Sequence, residues 1–187
     1  MIELSDRLKP EKKKSNGIKN RLKKATALVR QIDERDAVYF NGDKTICIIK
    51  LFNISFLSYN DLLRLDNRSI YSFKMAWHNR LRELFKSVDM TDWIKHNSEE
   101  KLVEFVYQTK NSQTYDADAI VSAFKSTLDG MVDVGLLEDD DQKNLPIIIP
   151  RQEKNKGESN LFIVVSSLKD IREYYTETFK DVIDDKI

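Results

Sequence analysis

The sequence predicts an α+β fold: a mixed β-sheet with flanking helices, extended by a basic N-terminal helix and a C-terminal helix. Three observations predict it. Runs rich in β-branched residues alternate with stretches whose apolar residues recur every three to four positions. Two strand-like runs, "LPIIIP" (145–150) and "NLFIVVSS" (160–167), follow one another late in the chain, which places a hairpin beside the alternating elements. The chain has 187 residues and is 41% hydrophobic, enough for one domain with a real core.

The elements follow in order. Residues before Gly17 are polar and hold Pro10, which reads as a tail. In "GIKNRLKKATALVRQI", Ile18, Leu22, Ala25, Val29 and Ile32 repeat at helical steps and form one stripe, with Lys19, Arg21, Lys23, Lys24 and Arg30 mostly off it. "TICIIKLFNI" (45–54) reads as a central strand, ended by "SYND". "IYSFKMAWHNRLRELFK" (70–86) reads as a helix with Phe73, Trp77, Leu81, Leu84 and Phe85 inward and Arg80, Arg82 and Lys86 outward. "KLVEFVYQT" (101–109) is a strand, and a helix over 119–132 precedes Gly135, a favoured stop. The polar loop "RQEKNKGES" joins the two late strands as a hairpin, and "LKDIREYYTETFKDVIDD" (168–185) closes as a helix.

Composition narrows the classes. A single cysteine, Cys47, excludes an internal disulfide framework, and its apolar surroundings make it a small buried hydrophobe. "MIELSDRLKPEKKK" is too charged for a signal peptide, and no apolar run approaches the roughly 20 residues of a membrane span. A cytoplasmic location is the expectation. His78 and His96 have no partners at metal-ligand spacing, and with 5 glycines the chain holds no Gly-rich phosphate loop. Trp77 and Trp93 read as core.

Charge is balanced overall, 31 basic against 31 acidic residues, but it is segregated. Residues 1–36 carry net +5. The stretch Tyr115–Gln142, "YDADAIVSAFKSTLDGMVDVGLLEDDDQ", holds eight acids and one base, net −7. Either this is solvated surface, or a basic arm stands beside an acidic metal site, as suits a protein that holds a polyanion. On an extended segment Asp116 and Asp118 point to the same side, a natural clamp for Mg²⁺ or Mn²⁺; alternatively Asp118 caps the next helix. At about 100° per residue, Ser122, Lys125 and Asp129 fall within about 40° of Asp118. Lys125 then reaches back to stabilise a scissile phosphate, or pairs with Asp129 at i,i+4. One of Asp139, Asp140 or Asp141 would complete a three-carboxylate site.

These motifs resemble the RusA family of Holliday junction resolvases. "DADA" stands where that family has a DxDN element, and "LDGMVDVGLLEDDDQ" follows its lysine-bearing helix and closing "DD.Q". "FLSYNDLLRLDNRSIYSFKMAWHNRLRELFK" is similar to its Ser-Asn turn, basic loop and first helix, "KLVEFVY" to the strand before the DxD, and "IIIPRQEKNKGESNLFIVVSS" to its C-terminal hairpin. The resemblance covers residues 45–167, leaving 1–44 as a basic extension and 168–187 as a C-terminal helix. It implies a metal-dependent, structure-specific endonuclease, phage or prophage encoded, that acts as a homodimer on branched double-stranded DNA in recombination and repair. It implies Asp116, Asp118 and Asp140 as ligands of Mg²⁺ or Mn²⁺, with Lys125 as the catalytic lysine. For the DNA contacts we expect Lys19, Arg21, Lys23, Lys24, Arg64, Arg68, Arg80 and Arg82. Ala119 stands where the family has asparagine, and the helix is three residues longer, so the family's lysine aligns with Ser122 or Lys125. The alternative is a catalytically degenerate module of this type that binds DNA or a protein.

Overall fold

The computed structural model describes residues 9–55, 57–95, 98–110 and 114–169, with backbone only for 9–16 and 59. The fold is α+β, a five-stranded mixed sheet flanked by helices. The helix expected over 168–187 lies, beyond Lys169, outside the described residues, as does His96.

Helix α1 spans Lys9–Arg30. The expected tail before Gly17 is therefore helical from Lys9, and Pro10 is tolerated because the first turn needs no intrahelical N–H donor. Ile18, Leu22, Ala25 and Val29 are buried in the main core, and the larger side chains, Ile18, Leu22 and Val29, each stabilise by about 1.5–3 kcal/mol when fully removed from water. Ile32 departs from the expected stripe: it lies past the helix end and is 49% exposed.

Strand β1 (Ala37–Phe40), absent from the sequence reading, forms a hairpin with β2 (Ile46–Leu51). Asn41 closes its turn, accepting from Lys44 N at 3.0 Å through its carbonyl and from Ile46 N at 2.8 Å through Oδ1. A one-turn helix α2 (Tyr59–Leu62) leads to α3 (Asn67–Phe85), whose N-terminus Asp66 caps by accepting from Ser69 N. Then come α4 (Thr91–Lys95), β3 (Lys101–Thr109), α5 (Ala117–Ala123), α6 (Lys125–Asp133), β4 (Ile147–Lys154) and β5 (Asn160–Ser167).

The strand order is β1-β2-β5-β3-β4, antiparallel except for the parallel pair β3–β4. This overturns the expected late hairpin. β5 enters the sheet between β2 and β3, so β3 separates it from β4. β4 is an edge strand running through Lys154, and an edge accommodates Pro150, which has no N–H to donate. One sheet face presents Ile49, Ile163 and Phe105 in one cross-strand row and Leu51, Leu161 and Tyr107 in the next, all packed in the core. On the other face Tyr39, Ile46, Ile147 and Ile149 are exposed.

Arg80 corrects another expectation. It does not face outward: it is 2% exposed, and its Nε and Nη2 each donate at 2.8 Å to Asp36. Nη2 also reaches Phe52 O at 2.8 Å and Nη1 reaches Leu28 O at 3.2 Å. One guanidinium thus ties α3 to α1, to the lead-in of β1 and to the end of β2. A charge so deeply buried survives only with such complete pairing.

Candidate functional site

The acidic stretch is built on α5, α6 and the loop to β4. The expected single helix is broken at Phe124 (φ −104°, ψ 12°), whose ring is buried against Phe105, Tyr107 and Trp77. Seating that ring turns the chain between two short helices. Asp116 is the extended N-cap residue of α5 and makes no side-chain cap bond, while Asp118 sits in the first helical turn. Neither the period-2 clamp nor the Asp118 cap expected from sequence is therefore what forms. Helix α6 ends as expected at Gly135 (φ 76°), with a Schellman closure from Leu136 N to Met131 O at 2.9 Å and Gly135 N to Val132 O at 3.0 Å.

Protein bases meet several of the acids. Helix α3 packs along α6, and the Cβ of any larger residue at Gly130 would lie 2.7 Å from Leu81 Cδ1, so glycine permits the approach. Across it Lys74 Nζ lies 2.7 Å from Asp129, Arg82 Nε 2.6 Å from Asp133, and His78 Nδ1 3.5 Å from Asp133. The Arg82 hydrogen bond, the largest influence there, holds the Asp133 carboxyl below its ordinary value. Lys125 bonds to Asp140 and lies 3.8 Å from Asp129. The Asp139 and Asp141 carboxylates accept backbone N–H groups of Asp140 and Asn144 in the loop before β4.

The structure thus brings Lys125 to Asp140 but does not assemble the expected metal set. Among the described residues, no three His, Cys, Asp or Glu side chains converge as metal ligands would. Of the three expected ligands, Asp140 is paired with the Lys125 ammonium group, while Asp116 and Asp118 stand exposed at the start of α5.

The expected DNA-contacting residues separate into distinct environments. Lys19, Lys23 and Arg68 line one groove of about 510 Å³ between α1 and the start of α3. Arg30 lines it too, with its Nη2 donating to Ser72 Oγ at 3.0 Å. The groove's one acid, Asp66, is occupied in capping α3, and the Ser69 N–H holds its carboxyl below the ordinary range. Arg30 was not among the expected contacts, though its signal is in the sequence: Lys19, Lys23 and Arg30 stand at helical steps on one face. Lys24 lies on the other flank of α1. Arg21 pairs with Asp61 at 2.6 Å and Arg82 with Asp133, while Arg64 is exposed between α2 and α3. Arg80 is sealed in the core.

Among the described residues no helix is long and apolar enough to cross a membrane. No protein-family model matches the chain, and no curated protein matches it.

Proposed function

We propose that the chain is a RusA-like module that binds branched DNA through the groove between α1 and α3. The observation that carries this reading is the groove itself: Lys19, Lys23, Arg30 and Arg68 converge on it against a single acid already used as a helix cap. A phosphate backbone crossing there would meet cations from two elements, and such contacts dominate nucleic-acid affinity. The acidic stretch lies outside the groove lining, and α3 and α6 bases offset part of its charge, so it need not repel the strand.

A second reading, a Mg²⁺- or Mn²⁺-dependent endonuclease resolving Holliday junctions, is favoured by Asp116 and Asp118. Both are exposed just beyond β3, and Asp116 is free of a cap bond. One or two carboxylates with waters and substrate phosphate are enough for Mg²⁺. A synthetic four-way junction separates the two. The binding module retains the junction in a gel shift and leaves it uncut in Mg²⁺ or Mn²⁺. Nicking that Asp116→Asn abolishes, with binding spared, would establish the second reading instead.

A further inference from the structure

A second cavity, of about 390 Å³, opens on the opposite flank of α1 from the basic groove. It is lined by Lys24 and Leu28 of α1, by the segment after β2 (Asn53, Ile54, Ser55), and by Lys110 with Tyr115. Tyr107 lines it too; it is buried, and its ring centroid lies 6.2 Å from that of Tyr115 at an interplanar angle of 60°. The Tyr115 ring is positioned by its backbone, because Tyr115 N donates to Gln152 Oε1 at 2.8 Å. The lining acid, Glu158, pairs with Arg35 and so does not oppose an incoming anion.

The volume lies at the small-ligand end of the range of roughly 300–1,000 Å³ for binding pockets. Its lining combines a buried and a half-buried tyrosine, two exposed lysines, and the polar residues Ser55, Ser159 and Asn53. This combination suits a flat ring bearing a phosphate. A base stacked within a duplex is covered on both faces and cannot lie against Tyr115; an unpaired one can. We propose that this cavity takes one unstacked nucleotide of a DNA strand, its base against Tyr115 and its phosphates between Lys24 and Lys110. The inference rests on the DNA-binding reading and gives it a substrate preference: DNA with an unpaired base, as at a gap or branch point, over continuous duplex.

Base–aromatic stacking contributes about 1–3 kcal/mol per base, which corresponds to a preference of about 5- to 150-fold. The test compares dissociation constants for a fully paired duplex and the same duplex with a one-nucleotide bulge. We expect the wild type to prefer the bulged DNA by at least about fivefold. Tyr115→Ala should remove that preference while leaving duplex affinity unchanged, and Tyr115→Phe should keep it. Ser55→Trp, which fills the cavity while leaving its tyrosines and lysines in place, should also remove it, so the test does not depend on one variant folding. Equal wild-type affinity for the two DNAs, or a Tyr115→Ala loss equal on both, would overturn the inference while leaving the groove reading intact. Failure of both DNAs and of a four-way junction to bind would overturn the groove reading as well.

Discussion

The Lys125 ammonium, at the start of α6, bonds to the carboxylate of Asp140, 15 residues further along the chain. That contact places a protein cation where a metal would be sought from the sequence. If the chain's own bases offset its clustered acids, Lys125→Ala should lower the melting temperature slightly. Lys125 is largely exposed, and such a pair stabilises by about 0.2–1 kcal/mol, a few degrees at most. Wild type should melt alike in Mg²⁺ and in ionic-strength-matched NaCl. Lys125→Ala, with Asp129 and Asp140 left facing each other, should gain more from Mg²⁺ than from the matched salt. A metal-specific gain in wild type that Asp118→Asn removes would point to a resident cation instead.

Arg80→Met should be the most damaging single change among the basic residues. It leaves Asp36 buried with no counter-charge and removes the guanidinium N–H groups donated to Leu28 O and Phe52 O. Breaking such a pair costs about 3–5 kcal/mol. Urea unfolding should show that loss in the midpoint with an unchanged slope. In the cycle with Asp36→Leu, the double variant should be less damaged than the sum of the singles.

Acid should unfold the protein along a defined arm. The Arg35 hydrogen bond is the leading influence that draws the Asp33 carboxyl down to about 2, and Arg82 lowers Asp133. Carboxyls depressed in the folded state contribute stability above their unfolded value of about 3.9. That contribution is lost as pH falls through the folded values. Melting temperature should therefore decline from about pH 4 toward pH 2, and Arg82→Ala should shallow the decline by removing the share of Asp133. An identical acid arm in the variant would show that this pair adds nothing.

Parts of this arrangement were legible in the sequence, and the reasons the rest was not are physical. The α1 stripe, β3 and the Gly135 stop follow from local periodicity and backbone preference, so they could be read directly. The β1–β2 hairpin has a local signal in Asn41-Gly42 between apolar runs. The insertion of β5 between β2 and β3 has no local signature, because strand partners are chosen by long-range packing. Arg80 illustrates the same limit. A charged residue on the outer side of an apolar stripe reads as solvated until Asp36, 44 residues away, is found beneath it. The carboxylates were legible as a cluster, but their offsetting by Lys74 and Arg82 depends on α3 lying against α6 at Gly130.

The groove yields a prediction of rank. Lys23 and Arg68 line it, whereas Arg82 is held by Asp133 on α6. Lys23→Ala and Arg68→Ala should each weaken DNA binding across sequences, and Arg82→Ala should affect stability more than affinity. Fluorescence anisotropy with one labelled duplex, read beside thermal melts, gives both quantities.

The most direct test is the salt dependence of four-way-junction binding by the wild type and by the Lys23→Ala/Arg68→Ala double variant. Each phosphate contact contributes about 0.9 to the slope of log K against log salt. The groove reading predicts a variant slope shallower by about 1.8, with a melting curve close to wild type. An unchanged slope in a folded variant would contradict it and move the DNA, if bound at all, to another face.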